Sequence, residues 1–102
     1  MTAMSDPLSS EARVATAAAR RYLGQLCKHF QHKLPVSLDE QRGRIEFSAG
    51  VCELDSTEPD LLALRVNAAD EASVANVEDV VTRHLQRFAF REELNVCWTR
   101  PT

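Results

Sequence analysis

The chain has 102 residues, 44% of them hydrophobic and 26% charged, with a net charge of −3 at neutral pH. That is the size and make-up of one ordinary globular domain, able to bury a core without metals or disulfides. The charge balance excludes a basic footprint for nucleic acid, and no stretch approaches the ~18 apolar residues of a membrane span. Three widely spaced cysteines, with no signal-like start, describe reduced thiols in a cytoplasmic protein.

Residues 1–8 carry no periodic pattern and read as a disordered tail, leaving a single α+β domain over 9–102. Ser9 or Ser10 is placed to cap a helix, because a serine hydroxyl accepts from amides left free in a first turn. From Glu11 to about Lys33 the composition is helix-forming. Leu23, Leu26, Cys27, Phe30 and Leu34 recur at helical spacing, and Ala19, Thr16 and Ala12 continue the stripe backwards with small side chains. Pro35 stops this helix, since the residue before a proline is pushed out of the α region.

The period then changes to two. Val36 and Leu38, Ile45 and Phe47, Cys52 and Leu54, and finally Leu62, Leu64 and Val66 alternate with polar neighbours. Gly43, Ala49-Gly50 and the stretch from Ser56 to Asp60 supply the turns between them. Four short strands of this kind form an antiparallel meander with one covered face. Asp70 caps a second helix, whose stripe is Val74, Val77, Val81, Leu85 and Phe88. A last strand is expected over Leu94 to Trp98, pointing Leu94, Val96 and Trp98 one way and Cys97 the other. The expected fold is an α+β two-layer sandwich in the order α-β-β-β-β-α-β: an antiparallel sheet of about five strands, with two helices on one face.

The densest polar chemistry lies at the end of the first helix, in Cys27-Lys28-His29-Phe30-Gln31-His32-Lys33. Thiolate and imidazole are the usual zinc ligands. Helix geometry separates Cys27 from His29 by about 160°, however, so the thiol belongs to the core. His29 and His32 do share a face and form a two-imidazole metal candidate, which needs a third ligand such as His84. Tyr22 and Gln25 extend this flank as candidate ligand contacts; the plainer reading is a solvated helix side. His84 is also expected as a hydrogen-bonded histidine at the core boundary. A second cluster, Arg87 to Glu93, offers Arg87 and Arg91 to a carboxylate or phosphate. The alternative there is that Phe88 and Phe90 plug the helix–sheet junction while the charges pair locally. Val51, Glu53, Ala63, Arg65 and Cys97 are expected on the uncovered sheet face, a candidate homodimer surface. Nucleotide-binding, metalloprotease and hydrolase motifs are absent, and the reading leans away from an enzyme.

The strings RYLGQLCKHFQHK from Arg21 to Lys33, GRIEF from Gly43 to Phe47, GVCEL from Gly50 to Leu54 and HLQRFAFREE from His84 to Glu93 resemble the small bacterial domain-of-unknown-function family 2218. The likeness runs from about Thr16 to Trp98. It implies a bacterial protein of unassigned activity and supplies no catalytic residue or cofactor. Members of that family stand alone or joined to flavin-dependent siderophore-interacting proteins. The resemblance therefore implies a metal- or ligand-binding accessory role in iron handling, with a siderophore-interacting flavoprotein as the implied partner.

Overall fold

Alternating side chains bury one face of a strand, and a helical stripe buries one side of a helix; this chain brings the two kinds of surface together. The structure is a computed structural model and describes residues 8–100. Five strands, β1 (Leu8–Ala15), β2 (Val36–Leu38), β3 (Arg42–Glu46), β4 (Gly50–Asp55) and β5 (Leu61–Ala68), form one antiparallel sheet in the order β1-β5-β4-β3-β2. Helices α1 (Ala19–Phe30) and α2 (Glu71–Phe88) pack on one face of it. The fold is thus the expected two-layer α+β sandwich with five strands and two helices.

The two chain ends differ from expectation, and the order is β-α-β-β-β-β-α. Glu11 to Ala15, expected as the start of a long helix, belong instead to β1, which pairs with β5 from Leu8↔Ala68 to Ala15↔Leu61. Ser10, Ala12, Val14 and Thr16 are buried and their neighbours are not, which is a period of two. Alanine-rich composition favoured the helix, but eight cross-strand partners and an apolar face to cover outweigh a few tenths of a kcal/mol per residue of propensity. The helix start moves accordingly. Thr16 Oγ1, rather than Ser9 or Ser10, accepts from a free amide, that of Ala18 at 3.1 Å. The tail expected over residues 1–8 lies outside the described residues except for Leu8, which opens β1.

The last strand is not built either. Leu94 is buried, Val96 and Trp98 are half-buried and Cys97 is exposed, so the alternation is as expected. The segment nevertheless joins the sheet at one point only, where Glu11 and Thr99 exchange two backbone hydrogen bonds of 2.8 Å. Its side chains hold α2 instead: Trp98 Nε1 donates to Thr82 Oγ1 at 2.8 Å, and Arg100 pairs with Glu71 and Glu78. This strap covers part of the β1 edge, where unpaired backbone groups otherwise invite association.

Leu23, Leu26 and Cys27 of α1 and Val74, Val77, Val81 and Leu85 of α2 meet Ile45, Cys52, Leu54, Leu62, Leu64 and Val66 of the sheet in one core. Fully burying each large aliphatic side chain contributes about 1.5–3 kcal/mol. Gly43, expected in a turn, lies instead within β3 beneath α1, where no side chain fits. Asp70 caps α2 by accepting from Ser73 N at 2.8 Å. No helix among the described residues is long and apolar enough to cross a membrane.

Candidate functional site

Because both helical stripes must face the same sheet, the C-terminal end of α1 comes to rest beside the last turns of α2. Residues just off the two stripes then meet. His29 of α1 and His84 of α2 stand with ring centroids 4.8 Å apart and tilted by 49°. Phe30 packs edge-on against His29 at 4.8 Å and lies 4.9 Å from His84. Phe88 closes the other side, 5.7 Å from His29 and 6.5 Å from His84. Phe47, following β3, stacks edge-on against Phe30 at 5.0 Å and ties the cluster to the sheet. The result is a half-open patch of two imidazoles framed by phenyl rings.

The two histidines are held differently. His84 is half-buried, and its Nδ1 lies 2.7 Å from the carbonyl oxygen of Val80, which accepts only if Nδ1 carries the proton. On that assignment the neutral ring has its lone pair on Nε2. This is the boundary histidine expected from the helix pattern, with its second nitrogen left over. His29 is exposed, and its proton affinity is held below the ordinary imidazole value. Partial desolvation against its ring neighbours is the main cause, followed by the charges of His84, Arg87, Lys33 and His32. Imidazole nitrogens inside a cationic rim offer donors for a metal and a field that favours anions.

The other candidates disperse. His32 is exposed and stacks with none of these rings, so the ring pair is His29 with His84 and not His29 with His32. Among the described residues, no group of three or more histidine, cysteine, aspartate or glutamate side chains is arranged to hold a metal ion. Tyr22 turns inward. It is 2% exposed and donates to Glu92 Oε2 at 2.6 Å, while Thr16 Oγ1 reaches the same carboxylate at 3.4 Å. The Glu92 hydrogen bond first, and burial second, hold the Tyr22 phenol above its usual value. Gln25 is exposed on α1 and joins none of these contacts. Arg91 stacks over Phe90 at 5.4 Å, and Phe90 is 79% exposed, so Phe90 is no plug of the junction; Phe88 is. Arg87 stays beside His29 as part of its cationic surroundings.

Cys27 and Cys52 are fully buried, as their stripes require. Burial alone raises the Cys27 thiol to about 11, which leaves it protonated and inert. Cys97 is exposed but belongs to the C-terminal strap, not to the open sheet face, because the strand that would have placed it there does not form. Sequence reasoning missed Phe47 as a member of the patch and Glu92 as the partner of Tyr22. Phe47 carried a signal in its core-side alternation; Glu92 carried none, because the pairing joins residues seventy positions apart.

Among solved structures, an NMR structure of PA4090 from Pseudomonas aeruginosa is 41% identical to this chain, with a TM-score of 0.76. The match covers 90% of this chain and 95% of that one. No curated protein matches. The profile of a family described as an uncharacterised protein conserved in bacteria matches residues 11–99, almost the whole described chain, and includes every residue of the imidazole–phenyl patch. The chain therefore belongs to domain-of-unknown-function family 2218.

Proposed function

We propose that this domain is a small binding module, and that the His29–His84 patch takes an anionic, ring-bearing chelate carrying its own metal ion. The observation that carries this reading is the approach of two imidazoles to 4.8 Å from two different helices, inside a frame of phenyl rings. Two nitrogen donors are too few for a dedicated metal centre, which takes about four ligands for zinc and more for harder ions. They suffice to complete a metal whose other positions are filled by a small-molecule ligand. The phenyl rings of Phe30 and Phe88 supply apolar contact for such a ligand, and Arg87 and Lys33 supply positive charge. Ferric complexes of tetradentate siderophores, which leave two of iron's six positions open, have this chemistry, and the family resemblance points the same way, with a siderophore-interacting flavoprotein as the partner that would use the bound complex.

The test is calorimetry of the protein against ferric complexes of tetradentate bis-catecholate and bis-hydroxamate chelators, with free Fe, Zn and Cu as comparisons. Binding of a chelate should weaken at least ~10-fold, a loss of about 1.4 kcal/mol, in His29→Ala, because one of two donors is gone. The side chain of His29 is exposed, so this variant should fold like the parent. Equal affinity in parent and variant, or no heat with any chelate, would remove the reading.

A further inference from the structure

The sheet's uncovered face is hollowed into a depression of about 590 Å3 lined almost wholly by β-strand residues. The registers place its charges in rows. Glu11 of β1 lies opposite Arg65 of β5, Arg65 opposite Glu53 of β4, and Glu53 opposite Arg44 of β3. All four side chains are exposed on this face. Read across the strands, the row is minus, plus, minus, plus.

An even row that alternates in sign is complementary to its own reverse. We infer that this face binds a second copy of the same chain, face to face, about a two-fold axis that runs along the strands between β4 and β5. That rotation reverses the row. Arg65 then meets Glu53 of the second copy, Glu53 meets its Arg65, and Glu11 and Arg44 meet in the same reciprocal way. Each contact occurs twice, as a closed two-fold interface requires. Aligned sheets pack with a rotation of about 30°, which the length of arginine and glutamate side chains accommodates near the axis.

Opposite charges across neighbouring strands also steady a single sheet, so alternation alone is not enough. The central residues have capacity to spare, however. Among the described residues Glu53 makes no ion pair, and Arg65 makes one loose contact of 3.9 Å with Glu11. Towards the rim the pairing is already complete within the chain: Arg13 with Glu58 at 2.9 Å and Arg42 with Asp55 at 3.3 Å. In the dimer Arg13 faces Arg42 of the second copy, and those acids neutralise both. From strand spacings the contact covers on the order of 500 Å2 per copy, the low end for specific association, so the dimer is weak and salt-sensitive. The open face shares no residue with the histidine patch.

The experiment is sedimentation velocity on the whole chain at high protein concentration, in low and in high salt. The parent should sediment as a dimer in low salt and as a monomer in high salt. Arg65→Glu places like charges at both central contacts and should be monomeric; Glu53→Arg should be monomeric for the same reason. Mixed together, the two variants restore opposite charges at both central contacts, and a heterodimer should appear. A parent that stays monomeric in low salt overturns the inference. So do variants that dimerise alone, or a mixture that does not associate. Circular dichroism shows whether the variants fold. If they do not, amide shifts of the parent on dilution decide the matter: changes must centre on β4 and β5, and changes centred elsewhere overturn the inference.

Discussion

Gly43→Ala should destabilise the domain by about 1–3 kcal/mol, the usual range for overpacking a filled core, and nearly all of that cost should come from one atom. A methyl group at Gly43 would meet Cys27 Sγ far inside contact distance, whereas Leu23 Cδ2 at 3.5 Å and Leu54 Cδ1 at 3.7 Å are ordinary neighbours. Loss of glycine's freedom in the unfolded chain returns a few tenths of a kcal/mol, too little to change the sign. Cys27→Ala removes a fully buried sulfur and should cost about 1 kcal/mol, the scale of a small core truncation. In the double variant the new methyl group occupies space the sulfur leaves. The two costs should therefore fall short of additivity by about 1–2 kcal/mol, within the range of coupled neighbours. Equilibrium denaturant unfolding of the parent, two single variants and the double variant measures the cycle. For a domain of this size, 1 kcal/mol also moves the melting temperature by about 4–8 °C. Additive costs, or an unaffected Gly43→Ala, would refute the seating of α1 on β3. That seating matters beyond stability: Cys27 fixes the rotation of α1, and His29, two residues on, is aimed by it toward α2.

Tyr22→Phe should cost about 1–2 kcal/mol, towards the low end for a hydrogen bond to a charged group because Glu92 is exposed, and should lose most of that cost in a Glu92→Ala background. The same contact should keep the parent's phenol titrating at higher pH than in Glu92→Gln, followed by ultraviolet absorbance. His29 predicts a pH dependence. Its proton affinity is lower in the folded chain than in the unfolded chain, where imidazole titrates near ~6.5, so the unfolded state takes up the proton first as pH falls. Stability should be full above that value and decline as pH falls through it toward the lower folded value. His29→Gln should remove that part of the slope, and parallel denaturant midpoints for parent and variant from about pH 7 to pH 5 would contradict it.

Most of the architecture was legible because it rests on local periodicity. The meander from Val36 to Asn67 and the helix from Asp70 to Phe88 show their faces in sequence, and the structure buries those faces except at the edge strand β2, where Val36 is half-buried and Leu38 is exposed. The ends were not legible in the same way. At residues 11–15 a helix-favouring composition overlies a strand alternation whose apolar members, Ala12 and Val14, are small, and only the long-range partnership with β5 decides between them. At Leu94 to Trp98 the alternation is genuine, but α2 rather than the sheet takes up its inward side chains. The site shows the same division. Sequence placed His29 and His84 just off their stripes, yet their meeting depends on how two helices cross one sheet, which no local spacing contains.

The helices occupy one face of the sheet and the alternating charges occupy the other, so the two proposed surfaces do not compete. In a face-to-face dimer the sheets lie inside and both helical layers face outward. Each His29–His84 patch then remains open to solvent, one on either side of the particle. Binding at the patch and association through the sheet are therefore separable properties of one fold. His29→Ala should leave the sedimentation of the chain unchanged, and Arg65→Glu should leave chelate binding unchanged. The five-stranded sheet between them is held by burial, through Ile45, Leu54, Leu64 and Val66, and not by either surface. Charge changes on the open face act mainly on exposed pairs, which contribute about 0–1 kcal/mol each, a small share of a core of this size. A domain arranged in this way can lose either surface and keep its fold.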